Sequence, residues 1–299
     1  EQTEILWRPL FELGIKIDFA HQTFRWDSEA SIKAHVHCII IGFSTCGKDT
    51  KYIFNENTIK KVSNINAYLI DAPNVFIASR NTPIENRRKM IAPNKPCDYN
   101  NLKIEENEYD DFVKKCPNSK KWIKRMVGAQ EFINNKTRYC LWLVNCSPEE
   151  LKSMPQVLDR VKKCKEDRLK ANTAESLKLA NTPTLFREQI NPDSYLLIPC
   201  VSSERRKYIP IGFLDKNTIP VMGTLIIPDA NLYDFGILTS NVHMAWMRVV
   251  AGRLKSDYRY SKDIVYNNFP WCNPTEEQKK KIEKTAQAIL DARALYPNS

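Results

Sequence analysis

LTSNVHMAWMRVVAGRLKSDYRYSKDIVYNNFPW, residues 238–271, is the stretch on which the reading of this chain turns. Ser240 and Asn241 suit a helix N-cap, because their short side chains can accept from the unpaired N–H groups of a first turn. A helix is predicted to follow, with Val242, Ala245, Trp246, Val249 and Val250 on one face and Gly252 near its end. Arg253, Lys255, Ser256, Tyr258, Arg259, Tyr260 and Lys262 then alternate cations with tyrosines. That pattern suits a phosphate backbone with sugars or bases beside it. It would equally serve a solvated turn between two helices.

The whole chain agrees with a polyanionic partner. It has 299 residues, enough for one large or two medium domains, and 42% of them are hydrophobic. The formal net charge is +10, which favours nucleic acid over a membrane, since no basic amphipathic helix stands out. A merely basic soluble protein remains the plain alternative. The nine cysteines form no C-x-x-C pair, so neither a zinc ribbon nor a redox motif is legible, and a reducing cytosol fits them best. No signal peptide is present, and no apolar run reaches the roughly 18 residues of a membrane span. The expected location is cytoplasmic. EQTEILWRPLFELG lacks a Met and begins inside a helical pattern, and ARALYPNS stops just past another, so an excised piece of a longer chain is expected.

Along the chain, residues 4–13 read as a helix closed by Gly14. KIDFAHQTFRW (16–26) reads as a strand, WDSEASIK as a polar turn, and HVHCIIIGF (35–43) as a buried strand of the parallel type. The alternation around Leu69, Ile70, Val75, Phe76 and Ile77 is consistent with more strand material. SPEE (147–150) starts a helix that Pro155 restarts. SYLLIPCVS (194–202) and TLIIPDANLYDFGIL (224–238) continue a β pattern, and Thr275 with Gln278 caps a final packing helix. Strands with inserted helices predict a mixed α+β fold.

GRLKSDYRYSKDIVYNNFPW resembles the C-terminal part of the MmeI-like (type IIL/IIG) single-chain restriction-modification enzymes, which are S-adenosylmethionine-dependent adenine-N6 DNA methyltransferases. GAQEFI (128–133) and RYCLWL (138–143) match strings of that family well, and LANTPTLFREQ (179–189) resembles a third. Pro93 replaces a family glycine, and Asp98-Tyr99-Asn100-Asn101 replaces its Gly-rich turn, which alters the loop near Asn94 and Lys95. The resemblance implies the tail of an α/β methyltransferase sheet (1–50), an α+β target-recognition domain (51–238) and a C-terminal helical segment (239–299). It implies duplex DNA as partner, S-adenosylmethionine as cofactor of the parent protein, and further N-terminal methyltransferase and possibly nuclease domains.

Methyl transfer by these residues alone is not expected. A cofactor loop needs glycines clustered after a strand, so that backbone can approach the ligand. The eight glycines form no such loop. The catalytic Asn/Asp-Pro-Pro-aromatic tetrapeptide has only two near-misses, Asn191-Pro192-Asp193-Ser194-Tyr195 and Asn268-Phe269-Pro270-Trp271. No catalytic, cofactor-binding or metal-ligating residue is therefore assigned. His21 and His243 stand alone, and His35 and His37 share one side of a strand without evident further ligands.

DNA-contacting residues are expected in clusters. One is Glu204, Arg205, Arg206 and Lys207; a second is Arg253, Lys255, Tyr258, Arg259, Tyr260 and Lys262; a third, weaker, is Arg80, Arg87, Arg88 and Lys95. Lysine and arginine would neutralise phosphates, arginine would also suit the O6 and N7 acceptors of guanine, and Glu204 a cytosine amino group. Of Tyr258 and Tyr260, one is expected to pack in the core. Two other readings stay open: a self-contained enzyme using Asn268 and Trp271 around a base, and a basic nucleic-acid-binding module with no enzymatic role.

Overall fold

The computed structural model of the chain describes residues 2–27 and 35–296, so most of the turn read at 26–33 lies outside the described residues. Helix α1 (Gln2–Glu12) ends where Gly14 takes a φ of 84°. Gly14 N–H then reaches the Phe11 carbonyl at 3.0 Å and Ile15 N–H the Leu10 carbonyl at 3.1 Å, a left-handed closure that glycine makes without steric penalty. Strands β1 (Lys16–Asp27), β2 (His35–Ser44), β3 (Lys51–Asn55) and β4 (Thr58–Val62) form one sheet in the order β2-β1-β3-β4. β1 is parallel to β3 but antiparallel to β2. The reading of 35–43 as a buried parallel strand is thus corrected: β2 lies at the edge, and Ile39, Ile40 and Phe43 are 51%, 47% and 53% exposed. An apolar run alone does not fix the direction of its neighbour.

No helix or strand forms between β4 and β5 (Lys103–Glu105), which overturns the strand expected around Leu69–Ile77. Asn66 organises that loop instead, accepting from Tyr68 N–H at 2.9 Å and donating to the Pro73 carbonyl at 3.2 Å. This local side-chain bonding gives the backbone an alternative to a ladder. The chain continues through α2 (Glu106–Lys115), β6 (Ile123–Val127), α3 (Ala129–Ile133), β7 (Arg138–Leu141), α4 (Pro148–Lys152), α5 (Pro155–Leu169) and α6 (Ala174–Leu179). Ser147 caps α4: its hydroxyl accepts from Glu150 N–H at 3.2 Å, and the Glu150 carboxylate accepts from Ser147 N–H at 3.1 Å. The two family strings meet at Glu131, whose carboxylate accepts from Gly128 N–H at 2.8 Å and pairs with Arg138 at 3.2 Å.

Next come β8 (Ser194–Pro199), β9 (Val201–Ser202), β10 (Gly212–Asp215), β11 (Thr218–Pro220) and β12 (Thr224–Pro228), then α7 (Leu232–Leu238) and α8 (Asn241–Val250). The β pattern expected across 224–238 therefore stops at Pro228. Asn231 caps α7 by accepting from Asp234 N–H at 3.0 Å, a cap signal that the apolar spacing masked. α8 begins at Asn241, but its buried face is His243, Met244, Met247 and Val250, whereas Val242 is 71% exposed. Of the expected face only Val250 is buried and Trp246 half-buried; methionine and a neutral histidine fill the rest of this core. β13 (Gly252–Leu254), β14 (Asp257–Arg259) and α9 (Glu276–Ala294) complete the chain, α9 carrying the expected Thr275–Gln278 capping box.

Contacts divide the chain into two compact units. The first comprises Glu1–Arg87, Val201–Lys207 and Asn241–Cys272. Its core includes Trp7, Ile17, Ala20, Ile53 and Ile65. The second comprises Arg88–Cys200, Tyr208–Ser240 and Asn273–Ser299, with sheets ordered β11-β6-β7-β5 and β10-β8-β12. Leu102, Ile104, Leu141, Met154 and Ile219 fill its main core. Full burial of such a side chain stabilises by roughly 1.5–3 kcal/mol. Arg168 is wholly buried there, its guanidinium donating to the carbonyls of Pro96, Cys97, Leu179, Thr182 and Leu185 at 2.8–3.3 Å. It satisfies a loop lacking ladder partners and ties it to α5.

Candidate nucleic-acid interface

Within the first unit, β13, β14 and β9 form a three-stranded antiparallel sheet. Tyr258 lies opposite Arg253 on one side and Ser202 on the other, and Arg259 opposite Gly252 and Val201. This pairing joins two of the three basic clusters read from sequence. The turn Ser203–Lys207 leaves β9 directly beside the β13–β14 hairpin. The side chains of Glu204, Arg205, Arg206, Lys207, Arg253, Lys255 and Arg259 are all exposed there. Nothing in the local sequence shows that strands so far apart in the chain pair.

The hairpin is built around Arg253. Its guanidinium carbon sits 3.8 Å from the centroid of the Tyr258 ring, and it donates to the Ser256 carbonyl at 2.9 Å. Such cation–π stacking holds an exposed arginine in place. The connection between Leu254 and Asp257 is Lys255–Ser256, and Lys255 adopts a φ of 58°. A left-handed residue at this position of a tight hairpin favours glycine, so Lys255 sits there under local backbone strain.

The remaining candidates separate. Tyr260 is 2% exposed, and its hydroxyl lies 2.9 Å from His243 Nε2. Its ring packs inside the unit, and Tyr258 is buried as well, at 9% exposed, so both tyrosines are buried where one was expected to be. Burial pushes the Tyr260 phenol well up and the His243 imidazole down to about 3, so both are neutral at ordinary pH. Lys262 pairs with Asp263 at 2.5 Å. Of the third cluster, Arg80 and Arg87 belong to the first unit and Arg88 and Lys95 to the second. Arg80 is exposed; Arg87 pairs with Glu85 at 3.0 Å and lies 5.4 Å from the Trp271 ring centroid. Arg88 pairs with Asp234 at 2.8 Å, while the Lys95 backbone N–H donates to Glu188 at 2.8 Å.

Sequence reasoning passed over Arg248 and Asp257. Arg248 donates to the Lys207 carbonyl, and Asp257 accepts from Glu204 N–H at 3.2 Å. The only sequence signal for Arg248 was a cation in the last turn of α8. Arg205, Arg248 and Arg253 also line a cavity of about 850 Å³ in the first unit, together with Gln22, His37 and Asn57. Polar groups from β1, β2 and the β3–β4 turn thus reach the same space as the basic turn.

The Asn268-Phe269-Pro270-Trp271 string is structural. Asn268 Nδ2 donates to the carbonyls of Ala78, Asp263 and Ile264 at 2.9–3.2 Å, and Phe269 and Trp271 are buried. The donor side of that amide is thus committed to backbone within the fold. Among the described residues no group of three or more His, Cys, Asp or Glu could hold a metal ion, and no helix is long and apolar enough to cross a membrane.

Residues 71–273 match the family model of the MmeI target recognition domain, and residues 1–55 that of the MmeI DNA-methyltransferase domain. The chain belongs to the MmeI family. DNA methyltransferase A of Bacillus subtilis (strain 168) is 41% identical over 295 residues, a match covering 98% of this chain and 34% of that protein. A solved structure of the type IIL restriction-modification enzyme MmeI in complex with DNA is 46% identical, with a TM-score of 0.93, and the match covers 100% of this chain and 41% of that one. The chain therefore spans under half the length of these relatives. The mixed α+β fold and the family resemblance expected from sequence both hold.

Proposed function

We propose that this chain is the DNA-reading part of an S-adenosylmethionine-dependent, adenine-N6 DNA methyltransferase of a restriction-modification system, acting in the cytoplasm. In this assignment residues 1–50 end the methyltransferase sheet, 51–238 belong to target recognition and 239–299 form a C-terminal segment. These are territories of sequence, and the contact units cut across them. The observation that carries the reading is the union of the Ser203–Lys207 turn with the β13–β14 hairpin on one sheet, in a chain whose relative of known structure is bound to DNA.

The chemistry follows from that surface. Arg206, Lys207, Lys255 and Arg259 supply diffuse attraction to phosphates, which positions the duplex without reading it. Glu204 and Arg205, beside them on a fastened turn, match a cytosine amino group and a guanine edge. Extrusion of the target adenine and its methylation belong to other domains of the longer protein, which also bind the cofactor.

Fluorescence anisotropy of the chain on a random duplex pool, titrated across salt, tests the reading. Log affinity should fall steeply and linearly with log salt, by about 0.9 per phosphate contacted, and sequencing the retained fraction should return one enriched site. Absence of binding at low salt would remove this chain as a recognition module. Binding without enrichment would favour the basic module with no reading role.

A further inference from the structure

We infer that Asp257 and Arg248 are positioning residues for sequence readout: they clamp the two ends of the Ser203–Lys207 turn and so set the register in which Glu204 and Arg205 are presented. The inference rests on the proposed role in DNA recognition and adds two residues that need touch no base.

The turn is short and carries its own closure. Arg206 N–H donates to the Ser203 carbonyl at 3.0 Å, and Arg205 N–H to the Ser203 hydroxyl at 3.3 Å. These local bonds define its shape but not its place on the sheet. The β9–β14 pairing anchors where it begins, and two further contacts from distant sequence fasten its ends. Asp257, on β14, takes the Glu204 N–H at 3.2 Å, at the entrance to the turn. Arg248, in the last turn of α8, donates to the Lys207 carbonyl, at its exit. Both residues are half-buried, whereas the side chains of residues 204–207 are exposed. The clamp therefore holds backbone alone and leaves the reading side chains to the solvent.

The two kinds of DNA contact respond differently to loss of such a clamp. Attraction between cations and phosphates is long-ranged and tolerates displacement. A bidentate contact to a base edge requires donors and acceptors in one geometry, and slack in the supporting residues degrades it. Asp257 and Arg248 should thus govern preference between sequences much more than affinity for DNA in general.

The test compares Asp257→Ala, Asp257→Asn and Arg248→Met in the same chain. Each is titrated with the site that the wild type enriches from a random pool and with a scrambled duplex of equal length. Asp257→Ala should lower the preference for the site about tenfold while affinity for scrambled duplex holds or rises, because a negative charge is gone. Asp257→Asn keeps an acceptor oxygen toward Glu204 N–H and should keep the preference. Arg248→Met keeps the apolar stem, loses every donor and should again lose preference. Thermal melting of each variant identifies a folding failure, and if Asp257→Ala does not fold, Arg248→Met decides. Preference retained in the folded variants overturns the clamp, as does equal loss in Asp257→Ala and Asp257→Asn. A wild-type chain that enriches no sequence instead sinks the recognition role on which the clamp depends.

Discussion

His243 Nε2 and the Tyr260 hydroxyl meet at 2.9 Å inside the first unit, joining α8 to the segment that follows β14. Tyr260→Phe would leave a buried imidazole nitrogen without that partner. It should destabilise the fold by about 1–3 kcal/mol, read as a lowered urea midpoint. Affinity of the folded fraction for DNA should be unchanged. A variant with native stability and weakened DNA binding would return Tyr260 to the interface.

The same histidine gives the fold a pH dependence. Burial holds the folded pKa of His243 at about 3, below the value of about 6.5 expected in the unfolded chain. Between these values the unfolded state binds more protons, so the contribution is complete above pH 6.5 and is lost as pH falls toward 3. The slope attributable to this residue is up to about 1.4 kcal/mol per pH unit. Urea titrations from pH 7 to pH 4 should show a shallower profile for His243→Gln than for the wild type. Parallel profiles would mean that His243 titrates normally.

Lys255 should show stability and binding moving in opposite directions. Lys255→Gly relieves the left-handed conformation and should stabilise the chain by ~1 kcal/mol. It also removes an exposed cation, and the slope of log affinity against log salt should become shallower by about 1. A salt dependence identical to wild type would mean that Lys255 contacts no phosphate.

Arg168 should be irreplaceable by lysine. A guanidinium reaches the carbonyls of Pro96, Cys97, Leu179, Thr182 and Leu185 together, whereas an ammonium group has fewer donors on a less rigid frame. Both Arg168→Lys and Arg168→Met should lose at least about 3 kcal/mol, judged by chemical denaturation. Near-native stability of Arg168→Lys would show that most of those bonds contribute little.

Local chemistry was legible in the sequence and long-range pairing was not. The Ser147–Glu150 and Thr275–Gln278 boxes and the Gly14 closure were readable because donor, acceptor and conformation lie within one turn of chain. The basic clusters were readable as charge, and the family strings identified the chain's relatives. The face of α8 was misjudged because it buries methionines and a neutral histidine in preference to Val242. The strand expected near Leu69 failed because Asn66 satisfies the backbone locally. The juxtaposition of β9 and β14 joins residues 201–202 to 258–259, and no periodicity encodes such a pairing. Arg248 and Asp257 matter only through it, which is why they could not be found first.

The polypeptide changes unit at 87/88, 200/201, 207/208, 240/241 and 272/273. No contiguous cassette cut from this sequence would therefore carry the whole of one body without part of the other. On the proposed role in recognition, single-residue change at the exposed positions 204–207 would alter preference while leaving both cores intact.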